Sequence, residues 1–257
     1  MRQQLLALSA LLALTAAPAA RAADPAAPAG GMTMTGEERA AFQAEVKAYL
    51  LANPEVLNEM ISILDAKQKA ASSKTDQQLV ADNSAALFND GYSWVGGNPD
   101  GAFTIVEFLD YQCGYCRKAF PEVAELVEKD GDIRLIVKDF PILGPGSDLA
   151  ARAATATMIS QGPDAYGRLH DVLMAGKGPI TDENLDRALK KADLDPAAIR
   201  AAMNDPEVDS RIAKNHALGQ ALAINGTPTF VFEKDMIRGY VSLADMRKLV
   251  DASRSTN

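Results

Sequence analysis

Cysteine occurs only twice in the 257 residues, and both copies lie in Cys113-Gly114-Tyr115-Cys116. A bridge across two intervening residues closes almost no loop, so it takes little entropy from the unfolded chain and adds little stability. The pair therefore reads as chemistry rather than framework. Its flanks narrow the fold. Phe103–Leu109, read F-T-I-V-E-F-L, is a mostly apolar, β-branched run expected to be a buried strand. A helix is expected from Cys113 through Phe120, Val123, Leu126 and Val127, and a second strand over Ile133–Val137. Strand, helix, strand opens a parallel βαβ unit, which places the chain in the α/β class.

At the start of that helix, unpaired amides and the positive end of the dipole favour a thiolate at Cys113. Cys113 is thus expected to attack a disulfide and hold the mixed disulfide, with Cys116 as the buried resolving thiol. Glu107 sits on the apolar strand. Buried, its carboxyl would have a raised pKa and could relay protons to and from Cys116; the plainer alternative is a strand-end carboxylate in water. Lys138, ending the second strand, is either the partner of Glu107 or an ordinary strand-end lysine. Gly226-Thr227-Pro228-Thr229 precedes a third expected strand. Pro228 could hold a cis bond that sets the Thr227 backbone beside the cysteines as a docking edge, or be a common loop proline. Gly114 and Tyr115 complete the expected contact surface.

Metal readings have less support. Zinc needs two ligands beyond the cysteines, and the only histidines, His170 and His216, fall in a helical stretch as packed residues. Met32, Met34 and the thiols could hold Cu(I), which suits soft sulfur ligands. No cofactor or resident metal is expected. With 34 acidic against 26 basic residues and no basic patch, nucleic acid is not an expected partner.

Residues 1–22 read as an export signal: Arg2, an apolar run over Leu5–Ala17, and a small-residue cleavage site at Ala20-Arg21-Ala22. A flexible leader is expected over 23–34. Thr35 and Glu38 form a capping box for a helix carrying Phe42, Val46, Tyr49 and Leu50. Asn53-Pro54 starts another, with Val56, Leu57, Met60, Ile61 and Leu64 on one stripe. The segment over 35–75 is too short for a domain and must bury this face on its own main domain or on copies of itself. A polar stretch over 67–82 is expected to be helical and exposed, with a linker over 76–91. An Ala-rich helical block runs over 147–223, with Thr181, Asp195 and Asp205 as caps. The remainder, 224–257, is expected to be strand Thr229–Phe232, a hairpin around Glu233-Lys234-Asp235, strand Met236–Tyr240 and a closing helix over Leu243–Ala252.

Three separated stretches, Phe103–Cys116, Val137–Pro141 and Gly226–Phe232, resemble the DsbA-like thioredoxin-fold family in order and spacing over about residues 90–253. The resemblance implies a thioredoxin fold, split over 92–146 and 224–257 around an inserted helical domain. It also implies a cis bond at Thr227–Pro228 and a buried acid at Glu107. Tyr49–Leu57 is similar to the oligomerisation stalk of ScsC-type members, a group linked to copper tolerance. That likeness implies a periplasmic homo-oligomer, a trimer or dimer. It would act on disulfide-containing proteins and be recharged by a membrane thiol reductant of the ScsB or DsbD type. The family's oxidase branch carries Pro-His between its cysteines; Gly-Tyr here matches isomerases and implies a less oxidising pair. A monomeric dithiol oxidase, a copper-binding protein and a holdase chaperone are the competing readings.

Overall fold

The computed structural model describes residues 34–255. The expected export signal, and the expected leader apart from Met34, lie outside them. The chain divides into two units, one ending at Ile61 and one beginning at Ser62.

In the first unit, α1 (Gly36–Ala52) starts from the expected capping box: the Glu38 amide donates to Thr35 Oγ1 and the Thr35 amide to Glu38 Oε2. It stops at Asn53, whose backbone and side-chain N–H groups both donate to the Tyr49 carbonyl. Pro54 then leads into α2 (Glu55–Asp82). α1 buries no residue, and Phe42, Tyr49, Leu51, Leu57, Met60 and Ile61 are each at least half exposed. Among the described residues this apolar surface is left exposed.

The second unit is built on a five-stranded sheet of β1 (Trp94–Gly97), β2 (Phe103–Leu109), β3 (Ile133–Asp139), β4 (Thr229–Phe232) and β5 (Asp235–Arg238), in the order β1-β3-β2-β4-β5. Only β2 and β3 are parallel, joined by α4 (Gly114–Asp130); the other pairings are antiparallel. Between β3 and β4 lies the helical block of α5 (Pro145–Gln161), α6 (Pro163–Met174), α7 (Asp182–Lys191), α8 (Pro196–Ala202) and α9 (Pro206–Ala221). Thr181, Asp195 and Asp205 cap α7, α8 and α9 as their positions suggested. Before the sheet comes α3 (Ser84–Phe88), and α10 (Leu243–Ser255) closes the chain. Strand alternation sends β2 residues to two cores. Phe103, Ile105 and Leu109 meet Val123 and Leu126 of α4 and Val250 of α10. Val106 and Phe108 meet Val80, Leu87 and Leu222 on the opposite face. By this parity Glu107 faces α4.

Three expectations change. The stretch over 67–82 is helical but not wholly exposed, and 76–91 is not a linker: Asp76, Val80 and Leu87 are buried. The reason is both apolar and ionic. Val80 and Leu87 fill the second core, while Arg238 of β5 donates to both Asp76 oxygens at 2.8 and 3.0 Å, and Gln77 donates to Asp235. The last strand ends at Arg238 rather than Tyr240, after a turn at Glu233 in the left-handed region. Finally, β1 is an additional edge strand; Trp-Val-Gly-Gly shows no polar alternation, and Gly97 takes a positive φ of 68° that suits glycine. Asp76→Ala should destabilise the protein by about 1–2 kcal/mol, because a charge-assisted pair between buried Asp76 and the partly exposed Arg238 is lost. Urea denaturation measures it, and an unchanged midpoint would show that the pair adds nothing.

Candidate active site

β2 delivers the chain to the cysteines through a turn that Asp110 organises. Its carbonyl accepts the Cys113 amide at 3.0 Å, and Oδ1 accepts the Gln112 amide at 2.7 Å. Oδ2 accepts the amides of Ile142 and Leu143 at 2.8 and 3.1 Å, which fixes the loop after β3 beside the site. Cys113 is the N-cap of α4. It is 7% exposed and Cys116 is fully buried, one turn into the helix. As a thiol, Cys113 donates to the Thr227 carbonyl at 3.2 Å. The Thr227–Pro228 bond is cis, and the Gly239 amide donates to the Pro228 carbonyl at 2.8 Å. Gly114 has open space where a Cβ would be, and Tyr115, 63% exposed, lies 6.4 Å ring to ring from Tyr240.

The two sulfurs titrate in opposite directions. Cys113 is brought down to about 5, first by the hydrogen bond from the Cys116 thiol, with smaller help from Thr227 and the Cys116 and Tyr115 amides, against the effect of burial. Cys116 is pushed far above the ordinary thiol range by its bond to Cys113, by burial and by the charge of Glu107. Near neutrality the pair therefore holds one thiolate and one thiol. The Thr227 hydroxyl is buried without a hydrogen-bond partner while Cys113 is a thiol. Thr227→Val should raise the Cys113 midpoint and, by removing an unsatisfied hydroxyl, raise stability by about 1 kcal/mol. Absorbance titration at 240 nm and urea denaturation check both; a fall in either value would overturn the assignment.

Glu107 is 4% exposed and one carboxylate oxygen has no partner. Burial, then the Cys113 charge, raises its pKa to about 8. It is therefore the buried acid rather than a solvated strand end. Lys138 does not pair with it. In the β2–β3 register Glu107 stands opposite Val137, so Lys138 points to the other face. There its ammonium donates to Asp90 and to the Ala86 carbonyl, tying down the segment before β1. His170 is buried with Nδ1 3.2 Å from the Tyr111 hydroxyl, and His216 packs on Phe140. Among the described residues no group of three His, Cys, Asp or Glu could hold a metal. Asp110 was not singled out from the sequence, although an Asp closing a strand two residues before an amide it can accept is an Asx-turn signal.

A thiolate at a helix N-terminus, a resolving thiol one turn on, a cis-proline edge and a buried carboxyl on a thioredoxin sheet define a thiol–disulfide oxidoreductase. Family models agree. The DSBA-like thioredoxin domain matches residues 104–251 and the copper resistance protein ScsC N-terminal domain matches residues 38–71. The chain belongs to the DSBA-like thioredoxin domain family, in its ScsC-type group. Among solved structures, a thioredoxin-like oxidoreductase from Silicibacter pomeroyi DSS-3 is 42% identical, with TM-score 0.64, covering 67% of this chain and 98% of that one. A linker-deletion mutant of Proteus mirabilis ScsC is 25% identical, with TM-score 0.66, covering 90% of this chain and 100% of that one. A curated sodium/proton antiporter, NhaA 3 of Salinispora tropica, is 32% identical over 138 residues, which make up 53% of this chain and 21% of the antiporter. This chain thus spans about a fifth of that relative's length.

Proposed function

We propose that the protein is a periplasmic disulfide isomerase or reductase that works as an oligomer through residues 35–75. The observation that carries the chemistry is the split pair: a Cys113 thiolate beside a Cys116 thiol. The thiolate attacks a substrate disulfide, forming the Cys113–substrate bond and expelling the other substrate sulfur as a thiolate. In isomerisation, the freed substrate thiolate attacks another substrate disulfide, and the thiolate which that releases attacks the substrate sulfur of the mixed disulfide, forming the new substrate disulfide and expelling Cys113 as a thiolate. In reduction, Cys116 loses its proton to Glu107 and attacks Cys113, releasing the second substrate thiolate and leaving the Cys113–Cys116 disulfide. Forming the mixed disulfide removes the Cys113 charge that raises Glu107, so the carboxyl becomes easier to ionise at the step that needs a base. Gly114, Tyr115, Thr227 and Pro228 form the peptide-docking surface. A membrane dithiol of the ScsB or DsbD type would restore the reduced pair.

The exposed apolar face of the N-terminal unit supports assembly. Scrambled ribonuclease should regain activity with a catalytic amount of reduced protein, and mass in solution should fall to that of a monomer when residues 23–75 are removed. Stoichiometric action only, or a monomer in both forms, would remove this reading. A Cys113 pKa near 5 favours one rival, a dithiol oxidase, because stabilising the reduced thiolate makes the disulfide more oxidising. An oxidase would instead introduce disulfides into reduced ribonuclease and leave the scrambled form untouched.

A further inference from the structure

Behind the cysteines, between α4, β1 and α6, the catalytic unit encloses a cleft of about 530 Å³, within the range of about 300–1,000 Å³ typical of small-molecule sites. Its walls are apolar, formed by Phe120, Val127 and Leu135, with Trp94 at one side. Glu107 reaches it from β2, and Glu128 and Asp171 come from the flanking helices, as does His170, whose burial lowers its pKa to about 4 and keeps it neutral. Among the described residues, lysine and arginine are absent from its lining. Glu107 is more than nine-tenths buried and keeps one oxygen without a donor. An apolar cavity that ends on an unpaired acceptor lacks a molecule with an apolar body and a donor at one end. Three carboxyl groups without a lysine or arginine make a cationic donor the better match, one that takes Glu107 as the carboxylate and displaces the proton it otherwise holds.

We propose that this cleft binds small organic ammonium compounds, with the apolar body between α4 and β3 and the ammonium on Glu107. Three N–H donors supply what the free oxygen lacks, and the apolar walls exclude the water that would screen the pair. Occupancy would hold Glu107 as a carboxylate committed to the ligand and leave Cys116 without its proton acceptor. That consequence, unlike the binding itself, rests on the relay role given to Glu107 above.

The test uses the full chain with phenethylammonium and its neutral counterpart, phenethyl alcohol. Trp94 lines the cleft and is the only tryptophan in the chain, so its fluorescence reports occupancy directly. Phenethylammonium should bind at least tenfold more tightly than the alcohol. Glu107→Gln should cut that preference to threefold or less, with circular dichroism confirming the fold. Ala124→Leu, at an exposed position on the rim, should weaken both ligands. Equal affinity for the two, no response of Trp94 at millimolar ligand, or an undiminished preference in Glu107→Gln would overturn the proposal. Selective binding that leaves insulin reduction at its full rate would keep the site and remove the relay role instead.

Discussion

Glu107→Gln is expected to make the protein more stable and slower at the same time. The side-chain pKa is raised by burial from about 4.5 to about 8 in the folded state. Between those values the unfolded chain has released the proton and the folded chain still holds it, so stability falls as pH rises. The contribution is intact below about pH 4.5 and is lost on passing through 8. At about 1.4 kcal/mol per unit, the loss amounts to about 4 kcal/mol by pH 8. Glutamine has the same shape and no charge, so its stability should not fall across this window on account of position 107. Asp139, raised to about 6 by burial, adds a slope of the same sign in both proteins, so the difference between the two curves isolates Glu107. The rate should move the other way. Removing a proton relay costs about 10²-fold or more, seen here in release of the mixed disulfide rather than in its formation. Urea denaturation of the reduced proteins at pH 5 and pH 8, with stopped-flow resolution of a glutathione adduct, measures both. A flat difference curve would mean that the carboxyl is not held protonated.

Local signals carried most of the architecture. Thr35, Thr181, Asp195 and Asp205 cap helices because each offers a short side-chain oxygen before a run that can only be helical, and that chemistry is complete within four residues. The strand over Phe103–Leu109 was legible for the same reason, as was the proline opening β4. What escaped was pairing at a distance. Lys138 and Glu107 both sit near the ends of strands that pair, yet the register that sets Glu107 against Val137 turns Lys138 away, and its partner Asp90 is 48 residues earlier. Likewise, nothing local says that Asp76 meets Arg238, so a polar helix that docks on β5 reads as a linker. Asp110 was missed because its work is done on the amides of Ile142 and Leu143, more than thirty residues on. At the site, the thiolate was legible and its main cause was not. The helix end is the cause the sequence displays, whereas the Cys116 thiol is the larger influence and the amides of α4 are the smaller one.

That ranking makes the second large prediction. In Cys116→Ala the hydrogen bond that most favours the Cys113 thiolate is gone, while the Tyr115 and Cys116 backbone amides and Thr227 remain. The ionisation midpoint of Cys113 should therefore rise from about 5 by more than one unit, yet stay below the 8.5 or so of a free thiol. At pH 5 a rise of one unit takes the thiolate from about one half to about one tenth of the protein, so the thiolate absorbance there should fall by about fivefold or more and alkylation by iodoacetamide should slow with it. Absorbance at 240 nm follows the thiolate directly, because the variant has no other cysteine. The same variant separates attack from resolution. Cys113 can still open a substrate disulfide, but no internal thiol remains to expel the substrate, so mixed disulfides should accumulate until an external thiol releases them. A midpoint that stays near 5 would return the credit to the helix end. The resolving cysteine would then be a nucleophile in waiting that does nothing to activate its neighbour.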